Sequence, residues 1–199
     1  MQEIVLLLLH VYKLTIGCYN KNMFSNPEQN VLKLGLREGM RVADFGAGTG
    51  AYSFAAGRHV GHTGHVYAIE VQKGLLKKLE SEIKELGVNN VECIWGDIEK
   101  VGGTKIADRS MDAIIIANVL FQTEDKLGLI DEAKRILKKD GKILFIEWAS
   151  SFGNMGPSIE HVVEERMAID LFTKRGFKLF EKITTNEHHY GIILVHKHE

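Results

Sequence analysis

Short apolar runs bounded by glycine turns alternate with longer stretches of helical spacing, and that alternation sets the order of elements along the chain. Asn26-Pro27-Glu28-Gln29 supplies an amide cap, a proline at the first helical position and a glutamine at the third, so a helix is predicted from there to about Leu34, closed by Gly35. Residues 41–45, Arg-Val-Ala-Asp-Phe, read as a buried strand running into Gly46-Ala47-Gly48-Thr49-Gly50, with helix-compatible residues over 51–59. A strand over 65–70, an amphipathic helix over 72–86 stopped by Gly87, and a strand over 91–95 repeat the pattern. Within 111–117, Ile114-Ile115-Ile116 is the continuous apolar run of a strand covered on both faces. A helix over 123–137 and a fifth strand over 142–148, entered through Asp140-Gly141, follow.

After Trp148 the pattern breaks. Residues 150–157 are polar and glycine-rich, long enough for a lid or an entrance rather than a tight connection. A helix is predicted over 159–175, and two strand-like runs, 177–184 and 190–197, lie too close together for a parallel crossover, so they form an antiparallel hairpin. Repeated strand-helix-strand units predict one α/β domain, a Rossmann-like doubly wound sheet.

Composition narrows the class without changing this picture. The 199 residues are 45% hydrophobic and 26% charged, with a mean hydropathy of -0.07. That is ordinary globular usage, enough to build a core without a disulfide or metal staple. Two cysteines, Cys18 and Cys93, suggest a reducing, cytoplasmic setting. A net charge of -1 lacks the basic footprint of a protein that binds many phosphates, so no nucleic-acid partner is expected. Residues 4–9 are apolar but far short of a bilayer span. They suggest an N-terminal helical segment or lid over 1–25 ahead of a domain over 26–199, although Met23 would also open a compact domain by itself.

The chemistry concentrates after the first strand. Glycines 46, 48 and 50 let the chain bend sharply and let a ligand approach backbone N–H groups at a helix N-terminus. Glu70 closes the second strand twenty residues beyond Gly50, where a carboxylate can accept from both hydroxyls of a ribose. Gly46, Gly48 and Ala51 also satisfy the dinucleotide fingerprint G-x-G-x-x-A. Asp44 argues against a pyrophosphate there, because like charges about 4 Å apart repel by up to ~4 kcal/mol at an effective dielectric near 20. Beside the ammonium and sulfonium of S-adenosylmethionine (SAM) the same carboxylate is favourable.

At this point the chain resembles the class I SAM-dependent methyltransferases. The resemblance rests on the stretch 42–50, the strand ending at Glu70, the turn Gly96-Asp97-Ile98, the run 111–118 and the turn 135–142, and it covers about residues 24–197. Within the superfamily the chain is most similar to the small-molecule branch typified by ubiquinone and menaquinone biosynthesis methyltransferases. It departs from that branch at Lys139-Asp140-Gly141, where relatives often have Pro-Gly-Gly, and at Gln122, where they often have histidine. The resemblance implies a seven-stranded, mostly parallel sheet with one antiparallel strand near the C-terminal edge. It implies that the cofactor is SAM, leaving as S-adenosylhomocysteine, held by Asp44, Gly46, Ala47, Gly48, Gly50, Glu70, Val71, Gly96, Asp97, Ile98 and Asn118. In this scheme Asp97 faces the adenine amino group and Ile98 its ring. A nicotinamide-dependent oxidoreductase and a silent SAM-binding module remain as alternatives.

The acceptor is expected to be a small molecule. Candidates to contact it are Phe24, Glu147, Trp148, His161, His189 and Tyr190, placed at the carboxyl ends of strands or on flanking segments where open α/β sheets bind ligands. Phe24, Trp148, Phe152 and Tyr190 suggest an apolar, partly aromatic pocket acting mainly by alignment and water exclusion. His161 with Glu164 and Glu165 also fits a surface ion cluster, and His188-His189 a solvated turn. His59, His62 and His65 span a helix end, a turn and a strand, so they share no face and no metal site is expected. Two cysteines are too few for a thiol-relay arsenic methyltransferase, and Val119-Leu120-Phe121 after Asn118 replaces the Pro-Pro-aromatic run of base-modifying enzymes.

Overall fold

The computed structural model describes residues 25–152 and 156–197. Residues 4–9, Cys18, Met23 and Phe24 lie outside the described residues. The elements are α1 (Pro27–Leu34), β1 (Arg41–Phe45), α2 (Ala51–Val60), β2 (His65–Glu70), α3 (Lys73–Leu86), β3 (Val91–Trp95), β4 (Met111–Ala117), α4 (Lys126–Ile136), β5 (Leu137–Trp148), α5 (Glu165–Lys174), β6 (Phe177–Ile183) and β7 (His189–His196), with short 3-10 turns at Leu120–Gln122 and Ile159–His161.

The seven strands form one sheet in the order β3-β2-β1-β4-β5-β7-β6. β1 to β5 pair in parallel, and β7 inserts between β5 and β6 antiparallel to both. The expected single antiparallel strand is therefore β7, one position in from the edge. Because β1 pairs with β2 on one side and β4 on the other, the chain reverses direction across the sheet between β1 and β4, and the carboxyl ends of these strands open a crevice.

Each sheet face carries its own core. Phe45, Ile114, Ile116 and Phe145 pack under α4 and α5, with Phe172 and Phe177 completing that layer. Val42, Ala68, Ile115 and Leu144 pack under α1, α2 and α3. Alternating side chains of β1, β4 and β5 thus feed two apolar layers, which is why these strands read as unbroken hydrophobic runs.

Three boundaries differ from the sequence expectation. The helix expected over 123–137 begins at Lys126, because the Asp125 side chain captures the Gly128 N–H at 2.8 Å and becomes the cap. The fifth strand begins at Leu137, not 142: Leu137 pairs with Met111 before a register shift, and Asp140-Gly141 is taken into the strand. The helix expected over 159–175 is split, since buried Val163 offers its carbonyl to the Tyr190 hydroxyl at 2.8 Å and the chain stays extended at Val162 and Glu164. No helix among the described residues is long and apolar enough to cross a membrane.

Candidate active site

A cavity of about 630 Å³ lies over the carboxyl ends of β1, β2, β3 and β4. One wall is the turn from β1 into α2. Gly46 N–H and Ala47 N–H both donate to the Ile69 carbonyl at 2.9 Å, sewing the turn to β2. At Gly46, with φ +70°, a side chain would meet Val119 Cγ2 at 2.7 Å. At Gly48, with φ +54°, the nearest atom to an added Cβ would be 3.9 Å away, so the bare backbone there faces the cavity and leaves room for a ligand.

Glu70 ties this turn to the next. Its Oε2 accepts the Gly48 N–H at 3.0 Å and its Oε1 accepts the Gln72 N–H at 2.8 Å, while the residue is only 5% exposed. Each oxygen retains a lone pair toward the cavity, the geometry needed to accept from two neighbouring hydroxyls. Asp44 sits deeper, 2% exposed, and accepts from Ser53 Oγ at 2.6 Å. Burial is the main cause that lifts its pKa to about 6, with Glu70 adding to the rise and Ser53 opposing it.

The opposite end is formed by the loop after β3. Asp97 pairs with Lys100 at 2.9 Å and accepts the Glu99 N–H at 3.0 Å, and the Lys100 bond holds its carboxyl below the usual range. Gly96, Ile98 and Val71 line the cavity beside it. On the β4 side Asn118 adopts φ +58°, its N–H donates to the Ile146 carbonyl at 2.9 Å, and its Oδ1 is buried without a hydrogen-bond partner.

Nearly all residues expected to hold the cofactor line this one space: Asp44, Gly46, Ala47, Gly48, Glu70, Val71, Gly96, Asp97, Ile98 and Asn118. Gly50 instead caps α2 with φ +81° and abuts Leu79. Sequence reasoning missed Ser25, Tyr52, Gln72, Leu75, Gln122 and Thr123, which also line it. Gln72 could have been found from its position two residues past Glu70, and Tyr52 from its place in the first turn after the glycines. Ser25 could not, because it reaches the cavity through the packing of α1 on α2, where Asn30 Nδ2 donates to the Tyr52 hydroxyl at 3.0 Å and Ser25 Oγ lies 3.0 Å from it.

The acceptor candidates behave differently. None of Glu147, Trp148, His161, His189 or Tyr190 is among the residues lining the cavity, and Phe24 lies outside the described residues. Glu147 is fully buried, accepting the Phe121 N–H at 3.2 Å and the Trp148 N–H at 2.9 Å, so it braces the 3-10 turn that follows Asn118. Burial pushes its pKa up to about 7. Trp148 packs its indole against the His189 ring at 4.2 Å and beneath Gly156. His189 is 4% exposed, shares a 2.8 Å hydrogen bond between Nδ1 and Asn186 Oδ1, and has a buried Nε2 with no partner. Burial drives its pKa down to about 4, so the ring is neutral. Tyr190 is committed to the Val163 carbonyl, and His161 is exposed on Ser158. Phe152 packs on His188 at 3.8 Å. Trp148 with His189 and Phe152 with His188 thus form separate ring pairs outside the cavity wall.

Charge is distributed just as unevenly. The described lining holds four carboxylates, Asp44, Glu70, Asp97 and Glu99, and no lysine, arginine or histidine. Such a space favours a cationic ligand and opposes a pyrophosphate. No group of three or more potential metal ligands occurs among the described residues.

Comparison with known proteins agrees with this geometry. A family model described as a methyltransferase domain matches residues 36–173. The chain is 32% identical over 117 residues to the ubiquinone/menaquinone biosynthesis C-methyltransferase UbiE of Psychromonas ingrahamii, covering 58% of this chain and 45% of that one. It is 33% identical over 110 residues to the arsenite methyltransferase of Homo sapiens, covering 52% and 29%. The chain therefore spans less than half the length of these curated relatives. Among solved structures it resembles a SAM-dependent methyltransferase from Aquifex aeolicus, with a TM-score of 0.78 and 27% identity over 85% of this chain and 89% of that one. With the family model covering most of the domain and the fold and cavity in agreement, the chain belongs to the class I SAM-dependent methyltransferases.

Proposed function

We propose that this chain transfers a methyl group from SAM to a small-molecule acceptor, and that the acidic, cation-free cavity beside the glycine turn is where it holds the donor. The observation that carries this reading is the lining itself: four carboxylates and no basic side chain in the described wall, two of the carboxylates buried and only Asp97 paired, with Lys100 from outside the wall. The residues fit the group. Gly48 leaves open space toward the cavity, Glu70 offers two oxygens at ribose spacing, and Asn118 Oδ1 is buried and unpartnered. Asp97 and Ile98 would receive the adenine, and Asp44 the positive end of the methionyl part.

The sulfonium supplies an electrophilic methyl group on a good leaving group, so the protein's part is alignment. Asp44 and Glu70 fix the donor relative to the β1–β4 crevice. The wall of Asn118, Gln122 and Thr123 sets where an acceptor atom can approach. With no histidine in the described lining, an acceptor that ionises readily, a phenol, quinol or thiol, suits this site best. The similarity to a ubiquinone/menaquinone biosynthesis C-methyltransferase supports a planar acceptor. The arsenite reading is weaker, because Cys93 is held in β3 away from the cavity, with burial pushing its thiol up to about 11. The low cysteine count supports a cytoplasmic setting.

The test is methyl transfer from labelled SAM to a panel of phenols, quinols and thiols. Turnover on at least one class supports the enzyme. Tight SAM binding with no turnover on any class would favour a silent binding module.

A further inference from the structure

The loop between β3 and β4 is clamped from below by α4, and one buried carboxylate makes most of the clamp. Glu132 is fully buried and absent from the cavity wall. Its Oε2 accepts the Gly102 N–H at 2.7 Å, and its Oε1 accepts both the Thr104 N–H at 3.1 Å and the Thr104 hydroxyl. Arg135 donates to both oxygens, Nε at 2.8 Å and Nη2 at 2.7 Å, and reaches on to Asp108. Burial alone would raise the Glu132 carboxyl, but Arg135, Thr104 and the two backbone donors more than offset it, so the group stays ionised at neutral pH.

From this clamp to the cavity the contacts are continuous. Gly103, held between Gly102 and Thr104, gives its carbonyl to the Asp97 N–H at 3.2 Å, and a side chain at 103 would strike the Asp97 carbonyl. Gly96 in turn packs on the Gly103 carbonyl, 2.8 Å from where a Cβ would lie. A second tie joins the same loop to the start of α4: Asp125 N–H donates to Glu99 Oε2 at 2.7 Å. The residues so positioned, Gly96, Asp97, Ile98 and Glu99, form the end of the cavity beyond β3.

We infer that Glu132 is a positioning residue that sets the adenine preference of the site, acting through Gly102, Gly103 and Thr104 on Asp97. The inference rests on the proposed use of SAM. A carboxylate is required because two oxygens must accept five hydrogen bonds. A glutamine would turn an NH2 toward Gly102 N–H and Arg135 Nε or toward Thr104 and Arg135 Nη2, and the loop would shift under Asp97.

The experiment compares calorimetric affinities for S-adenosylhomocysteine and for S-inosylhomocysteine, which presents a carbonyl oxygen where adenine has its amino group. The proteins are wild type, Glu132→Gln, Thr104→Val and, as a control, Asp112→Asn. Asp112 holds the opposite end of β4, accepting the Arg41 N–H at 2.9 Å and pairing with Lys138 at 2.6 Å. Wild type is expected to prefer the adenosyl compound by about tenfold or more, the size of a hydrogen bond to a charged group. Glu132→Gln and Thr104→Val should lose most of that preference, and Asp112→Asn should keep it. If Glu132→Gln does not fold, Thr104→Val carries the test, since it keeps the Thr104 N–H bond to Glu132 and removes only the hydroxyl's contacts with Glu132, Ile106 N–H and Arg135. Folded variants that keep the wild-type preference overturn the inference alone. Wild type that binds neither compound overturns the cofactor reading and the inference with it.

Discussion

The cavity wall built on β1, β2 and β3 differs from the neighbouring region at the end of β5 and the start of β7 in how its polar groups are satisfied. Around the glycine turn, Asp44, Glu70, Asp97 and Asn30 each have hydrogen-bond partners within the protein. Toward β5 and β7, Asn118 Oδ1, Asn186 Nδ2 and His189 Nε2 are buried with none. A buried polar atom left unpaired costs about 1–3 kcal/mol, so the second region carries hydrogen-bonding capacity that the protein itself leaves unmet. The donor half is preorganised. The region around β5 and β7 is not fully satisfied.

The largest expected effect is on the donor side. Asp44 has a folded pKa of about 6 against an ordinary 3.8. The stability tied to its protonated form is therefore complete below the ordinary pKa and lost as pH rises through 6. At 1.36 kcal/mol per unit, Asp44→Asn should stabilise the ligand-free protein by roughly 2–3 kcal/mol at pH 8 and hardly at all at pH 4, read from denaturant midpoints. The same substitution should weaken SAM binding, which would mark Asp44 as a group held in a costly state for its ligand. Equal midpoints at pH 8 would break the contrast.

Next in size, Glu70→Ala should weaken S-adenosylhomocysteine by about 1.5–3 kcal/mol, the range for hydrogen bonds to a charged group. An unchanged affinity in calorimetry would place the ribose elsewhere. On the acceptor side, His189→Phe keeps a ring on Trp148 while removing Nε2. Cofactor affinity should stay within about twofold, and methyl transfer should fall less than in Glu70→Ala, as alignment without a dedicated base requires. A complete loss of turnover with affinity intact would make His189 the base. The smallest effect belongs to His161→Ala, an exposed site where stability should change by no more than about 0.5 kcal/mol in thermal unfolding.

The same division explains what the sequence made legible. Strand ends at Phe45, Glu70 and Trp95 and the turn glycines follow from local patterns, so the donor half could be written from nearest-neighbour chemistry. Residues that depend on distant packing could not. Ser25 arrives through α1 on α2, Val163 breaks a helix to meet Tyr190, and the start of β5 is set by pairing with Met111. Glu132 stands among alternating charges in the sequence, and nothing local says that the chain thirty residues earlier folds back over it. Trp148 and Tyr190 lie at the end of the sheet where the parallel strands finish, but neither lines the cavity. Trp148 turns to His189 and Tyr190 to the Val163 carbonyl, because tertiary packing, not register, decides what fills a buried corner.

The most direct measurement is calorimetry of SAM, S-adenosylhomocysteine and NADH on the same protein at pH 5.5 and pH 8. A cavity lined by four carboxylates should bind both adenosyl ligands more tightly than NADH, and SAM binding should release protons at pH 5.5 but not at pH 8 as Asp44 ionises. Tighter binding of NADH than of S-adenosylhomocysteine would contradict the assignment of this cavity to the methyl donor.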